Sequence, residues 1–263
     1  WISSSTQRPE RSSEATGECQ RDSHTGKPQV SGVPTLGMDL LQMRWRDALF
    51  AHWPVDPAVV SARLPEGLQV ATYDGDAWLG VVGFVMEDIR PRGAPLGLSF
   101  PELNLRTYVT RPGRDDHSVY FFSLDADDRL GVLVARGLFR LPYFSAEMRV
   151  SREDDAVTLR SRRTQSGARP AHFEATYRPT GEQFTPEAGT LEHFLTENYR
   201  FYTDGASLYY GDIAHPPWPL VEGTAEIETN TLFEADGFER PAGDPLVHYS
   251  PGTEVTAERI RTV

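Results

Sequence analysis

The 263-residue sequence predicts an α+β, mainly β fold: a single domain built on one strongly curved antiparallel sheet, with two or three helices packed outside it. Three observations carry this. Apolar runs with strand-like alternation recur from Arg44 onward, and only a few stretches show helical spacing. No βαβ alternation with a glycine-rich phosphate loop is present. A sheet of so many strands tends to curl, and closing it into a barrel removes its exposed edges.

Taken in order, residues 1–37 are rich in Ser, Thr, Gln, Pro, Gly and charge, without apolar periodicity. They read as a disordered tail or upstream extension, and 38–263 as the domain. "RWRDALFAHW" reads as the first strand. "DPAVVSARLP" follows as a short helix, with Asp56 as N-cap, Pro57 at the first helical position and Pro65 as the stop. "LQVATYDGDAWLGVVGFVMEDI" reads as a hairpin with its turn at Asp74-Gly75. "ELNLRTYVTR" alternates cleanly, with Glu102, Asn104, Arg106 and Tyr108 on one face and Leu103, Leu105, Thr107 and Val109 on the other.

"SVYFFSLDA" is a further strand, and "DDRLGVLVARGLFR" carries Leu130, Leu133, Val134 and Leu138 at helical spacing. Strands are expected at about 143–151, 156–163 and 171–178. A helix over "LEHFLTENYRFY", capped by Thr190, comes next. Strands around "SLYYGDIA" and "GTAEIETN", an apolar turn at "TLFEADG" and a last strand near "PLVHYS" complete the chain.

A net charge of −12 argues against nucleic acid or an anionic membrane as partner. No window reaches the ~20 apolar residues of a membrane helix, and no signal-peptide pattern opens the chain, so a cytoplasmic location is expected. Cys19 is the single cysteine and has no internal disulfide partner. Of 26 Lys+Arg residues, Lys27 alone is lysine, which leaves 25 arginines. An acid-rich, lysine-poor surface suits a salt-adapted or high-GC source.

Motifs exclude more than they assign. The seven histidines have no metal-ligand spacing, and His193 with Glu197 is an ordinary i,i+4 pair of a solvated helix face. No metal and no cofactor are expected. The Gly-x-Ser-x-Gly elbow and the dinucleotide fingerprint are both absent. "FAHWPVDP" sets His52 and Trp53 at a strand end, and "HPPWPL" sets His215 and Trp218 in a proline-stiffened segment; either pair could line a cavity mouth or cover the core. Glu102, Arg106, Arg136 and Glu147 are the candidate buried charges, which would need partners or a ligand.

The segments "LFAHWPVDPAVVSARLPEGL", "DGDAWLGVVGF", "FPELNLRTYV", "FFSLDA", "LPYF", "YRPTG" and "HPPWPL", in order from about Met43 to Tyr249, resemble the YqjF-like family of the acetoacetate decarboxylase superfamily. The resemblance implies a cone-like barrel with a central cavity. In decarboxylases of that superfamily, a Gly-Arg…Gly-Phe-Pro-Lys-Lys segment brings two lysines into the cavity, one of which forms a Schiff base. "ARGLFRLPYF" is similar to it: Arg136 matches the arginine, Pro142 the proline, and Tyr143 and Phe144 stand where the lysines would be. "FPELNL" is similar to the strand that carries a cavity glutamate, here Glu102.

The implied function is a cavity for a small organic molecule, a carbonyl, carboxylate or aromatic compound, without Schiff-base decarboxylation. Whether such a site is catalytic is left open. As an enzyme it would use Glu102 as general acid or base, with Tyr143, His52 or His215 orienting the ligand and Arg106 or Arg136 binding an anion. Phe144 and Trp218 would add walls. The alternatives are a non-catalytic binding or sensing pocket and a structural domain with a vestigial cavity. A small-molecule ligand is the expected partner, and homo-oligomer formation is left open.

Overall fold

Thirteen strands and three short helices make up residues 40–114, 116–127 and 139–263, which are the residues the structure, a computed structural model, describes. They all belong to one compact unit. The strands are β1 (Leu41–Val55), β2 (Gln69–Val70), β3 (Ala77–Pro91), β4 (Leu98–Thr110), β5 (Ser118–Ala126), β6 (Tyr143–Glu153) and β7 (Ala156–Arg163). β8 (His172–Phe184), β9 (Arg200–Thr203), β10 (Tyr209–Ala214), β11 (Leu220–Asn230), β12 (Leu246–Ala257) and β13 (Arg261–Thr262) follow. The helices are α1 (Pro57–Ser61), α2 (Leu191–Thr196) and α3 (Leu232–Ala235).

Two closed rings share one wall. Nine strands close in the order β1-β3-β4-β5-β6-β7-β8-β11-β12 and back to β1. A second, seven-stranded ring forms because β9 pairs with β5, β10 with β9, and β10 with β12, so β12, β1, β3, β4 and β5 belong to both. A shared wall has no solvent face. That explains why β3 reads "AWLGVVGFVM", a continuous apolar run in place of alternation, with Ala77 to Phe84 all buried.

The alternation of β1, β3 and β4 sorts their side chains between the two interiors. Leu49, Ala51, Leu79, Val81, Leu103 and Leu105 join the core of the nine-stranded ring with Leu159 and Tyr177. Phe50, Val82, Phe84 and Tyr108 join the core of the seven-stranded ring with Phe201 and Trp218. In β1, Asp47 takes a positive φ of 49° within a bulge between Arg46 and Leu49. The extra residue lets Met43 before it and Phe50 after it face the same core.

Local expectations hold where local chemistry decides. The Asp56 carboxylate accepts from Ala58 N–H at 2.8 Å, capping α1, and the Thr190 hydroxyl accepts from His193 N–H, capping α2. Asp74 and Gly75 both have positive φ, 51° and 94°, as a tight hairpin turn requires. Four expectations are corrected. The Asp74-Gly75 hairpin is cut to a single bridge, Tyr73 with Asp76, because β2 pairs with β4 instead of β3. α2 stops at Thr196, and "RFYT" is β9, since its aromatic residues are needed against β5 and β10. The sheet is not wholly antiparallel: β5 pairs in parallel with β6 and with β9. "TLFEADG", expected as a turn, contains α3. The helix expected over "DDRLGVLVARGLFR" falls, apart from its first and last residues, outside the described residues.

Candidate functional site

The seven-stranded ring has a polar stripe along its inward face, and β4 supplies most of it. Glu102, Asn104, Arg106 and Tyr108 follow one another at every second position, as period-2 geometry demands. Across the wall, His52, Gly80 and Arg106 form one row of register partners, and Phe50, Val82 and Asn104 the next. Leu124 pairs with Asn104 on one side and with Tyr143 on the other, which carries the Asn104 row on to β6.

Glu102 is 3% exposed, and among the described residues no cation is ion-paired with its carboxylate. The Tyr143 hydroxyl donates to Glu102 Oε2 at 2.6 Å, and Asn104 Nδ2 donates to Oε1 at 3.4 Å. Burial pushes the Glu102 carboxyl up to about 7; the bonds from Tyr143 and Asn104 and the charge of Arg106 oppose that rise. Tyr143 is raised well above the ordinary phenol value, first by burial and then by the Glu102 charge.

A second group shares the face. Tyr108 donates to the Leu195 carbonyl at 2.7 Å, and Arg106 Nη2 donates to the same oxygen at 3.1 Å. His52 Nε2 lies 2.7 Å from the Tyr108 oxygen. Tyr108 has one proton and the carbonyl can only accept, so His52 must donate through Nε2. Burial holds His52 well below its ordinary pKa, with Arg106 and His248 adding to the effect, so its ring is neutral. Its Nδ1 is then a bare acceptor. That atom, Asn104 Oδ1 and Arg106 Nε are buried without a hydrogen-bond partner among the described residues. His52 reaches Tyr108 by lying over Gly80, where a Cβ would sit 2.8 Å from the ring.

Trp218 closes the apolar side. It meets Phe50 edge-on at 5.0 Å and stacks on Trp45 at 5.7 Å, while the Arg106 guanidinium lies 5.6 Å from the Phe50 ring centre. His215 packs on Trp218 and, through Nδ1, lies 2.8 Å from the Pro216 carbonyl. Burial lowers its pKa, partly offset by that bond and by Glu197.

The structure thus unites Glu102 with Tyr143, and His52 with Arg106 through Tyr108 and Leu195, with Trp218 beside Phe50 and His215 against Trp218. Three expectations stand apart. Phe144 does not face Glu102: adjacent strand residues point to opposite faces, and its ring instead lies 4.1 Å below the Arg163 guanidinium. Glu147 is not a buried charge, being exposed and ion-paired with Arg162 on the outer face of β6 and β7. Arg136 lies outside the described residues.

Glu197 was missed. Helix α2 ends before it, and its carboxylate is buried, accepting from Trp218 N–H at 2.8 Å and from the Tyr199 hydroxyl at 2.6 Å. The i,i+4 spacing with His193 disguised it as a surface residue. Two depressions of about 140 and 250 Å³ on the outer faces are lined by ion-paired side chains such as Arg44–Glu254 and Arg160–Glu174; of the expected residues only Glu147 lines either. Among the described residues no group of three or more His, Cys, Asp and Glu could hold a metal ion, and no helix is long and apolar enough to cross a membrane.

Known proteins fit this architecture. The chain is 45% identical over 223 residues to "Uncharacterized protein YqjF" of Bacillus subtilis, covering 83% of this chain and 90% of that one. Among solved structures it resembles acetoacetate decarboxylase from Legionella pneumophila (TM-score 0.59, 14% identity, 95% and 98% of the two chains). It also resembles the enduracididine biosynthesis enzyme MppR complexed with pyruvate (TM-score 0.60, 13% identity, 87% and 91%). At such identities the likeness shows a shared fold. With a family model matching residues 42–254, this chain belongs to the DUF2071 family of uncharacterised conserved proteins and carries it on an acetoacetate decarboxylase-like barrel.

Proposed function

We propose that the inward face of the seven-stranded ring is a site for a small organic molecule bearing a carbonyl or carboxylate, with Glu102 as its general acid or base and with no Schiff-base step. One observation carries this reading: Glu102 is buried and accepts hydrogen bonds from the Tyr143 phenol and the Asn104 amide. A carboxyl held near neutrality populates both protonation states at physiological pH, so it can give or take a proton. Arg106, two positions along the same face, has an Nε–H that meets no acceptor among the described residues and is suited to an anionic or carbonyl oxygen. Phe50, Tyr108 and Trp218 offer flat apolar walls. The neutral His52 and His215 would orient the ligand.

Among the described residues there is no lysine to supply an amine for the alternative chemistry. The chain has one lysine, Lys27, far in sequence from every element of the ring. Tyr143 stands where the resemblance places a lysine, and a phenol cannot form an imine. Non-catalytic binding or sensing is the second reading, favoured by Leu195, whose carbonyl ties both Arg106 and Tyr108 into the scaffold.

Mass spectrometry of small molecules that co-purify with the native protein tests both readings against Tyr143→Ala and Glu102→Gln. The expected result is a bound carbonyl or carboxylate compound that is lost from either variant while the fold persists. Conversion of that compound by the wild type supports catalysis; its release unchanged supports sensing. Borohydride treatment with acetoacetate or pyruvate should add no mass. A stable adduct, or retention of the ligand by both variants, would overturn the proposal.

A further inference from the structure

The nine-stranded ring holds a buried charge cluster for which the proposed site has no direct use. Arg163 Nε donates to Asp125 Oδ1 at 2.7 Å, and the two side chains are 2% and 1% exposed. The Asp236 carboxylate accepts from the Ser123 hydroxyl and lies 4.0 Å from Arg163 Nη1. Such a pair is a costly way to gain stability, because desolvation offsets most of the attraction. It therefore invites a positional explanation.

Its placement supplies one. β6 begins at Tyr143, and its parallel pairing with β5 covers only three residues: Leu124 with Tyr143, Asp125 with Phe144, and Ala126 with Ser145. β7 pairs with β6 only from Ala146 on, so Tyr143 and Phe144 have β5 alone as a paired strand beside them. Tyr143 points into one ring and reaches Glu102, while Phe144 points into the other and lies under Arg163. The Arg163 guanidinium, fixed by Asp125 on the neighbouring strand, therefore grips one member of an adjacent aromatic pair whose other member is part of the site.

We propose that Arg163, anchored by Asp125, is a positioning residue: by holding Phe144 in the nine-stranded ring it sets where the Tyr143 hydroxyl meets Glu102 in the seven-stranded one. This assignment rests on the reading of Glu102 as the working group, but its test needs no ligand.

The readout is the titration midpoint of the Glu102 carboxyl, followed by NMR in protein labelled with carbon-13 glutamate. The groups that bear on it are Tyr143 from β6 and Asn104 and Arg106 from β4. The Tyr143 bond lowers the midpoint, so Tyr143→Phe raises it. Phe144→Leu keeps an apolar side chain and leaves the Asp125–Arg163 pair intact, so the fold should survive. It is expected to raise the midpoint in the same direction, with no further rise when Tyr143→Phe is added. Arg163→Gln, if it folds, should behave as Phe144→Leu does. A wild-type midpoint in Phe144→Leu, or full additivity with Tyr143→Phe, would overturn the assignment. Failure to find any ligand would count against the functional reading and leave this outcome unchanged.

Discussion

The two rings bury a carboxylate each, on opposite faces of the same wall, and treat it differently. Glu102 meets a phenol and an amide; Asp125 meets a guanidinium. Burial raises both carboxyls, but the Arg163 charge pulls Asp125 back to about 6, whereas Glu102 remains at about 7. A carboxylate tied to a cation is an anchor. One tied to neutral donors is free to change its charge, which is what acid–base work requires. On the proposed reading, the nine-stranded ring would serve as scaffold and the seven-stranded one would hold the acid–base group.

The contrast is tested most severely by removing the cation. Arg163→Met leaves Asp125 buried without its counter-charge and beside Asp236, and should cost about 3–5 kcal/mol in chemical denaturation. A loss under about 1 kcal/mol would mean that the pair is no anchor. Next in size is a pH effect. The folded Glu102 carboxyl titrates near 7 and an unfolded one near 4.5, so the folded state binds the extra proton between those values. Its contribution is fully present below about 4.5 and is lost as pH rises through 7, an effect on the order of 3 kcal/mol. Glu102→Gln should flatten that part of the stability–pH curve. Asp125→Asn should instead act at lower pH, between the ordinary 3.8 and about 6, on top of the cost of breaking its bridge.

A smaller effect is expected at Gly80. Gly80→Ala puts a methyl 2.8 Å from the His52 ring and should cost about 1–3 kcal/mol while breaking the His52–Tyr108 bond. Histidine NMR would report that loss as a His52 midpoint moving back toward its ordinary value. An unmoved His52 signal would show that the seven-stranded ring tolerates repacking better than its burial implies.

Much of this was legible in the sequence, in proportion to how local the cause is. The spans of β5 and β7 match their alternation, and the caps at Asp56 and Thr190 follow from side chains that bond within three residues. The two-ring topology was not legible, since short non-local pairings such as Ile213 with Ala257 create it and leave no periodic trace. The inward face of β4 could be read as a set, and Glu102 with Tyr143 could be matched through the resemblance. Phe144 lies against Arg163, across β6 from Tyr143, because the alternation that sorts β4 also separates adjacent residues. Glu197 gave one faint signal: Trp218, itself buried, follows two prolines, so its N–H needed an acceptor from elsewhere in the chain.

The most direct measurement is the site-resolved titration of Glu102 in the intact protein, compared with Tyr143→Phe. The midpoint should lie near 7 in the wild type and higher in the variant, because burial sets it and the Tyr143 bond moderates it. A midpoint near 4.5 in both proteins would mean a solvated carboxylate with no hold from Tyr143, and would contradict the assignment of Glu102 as the acid–base group of this site.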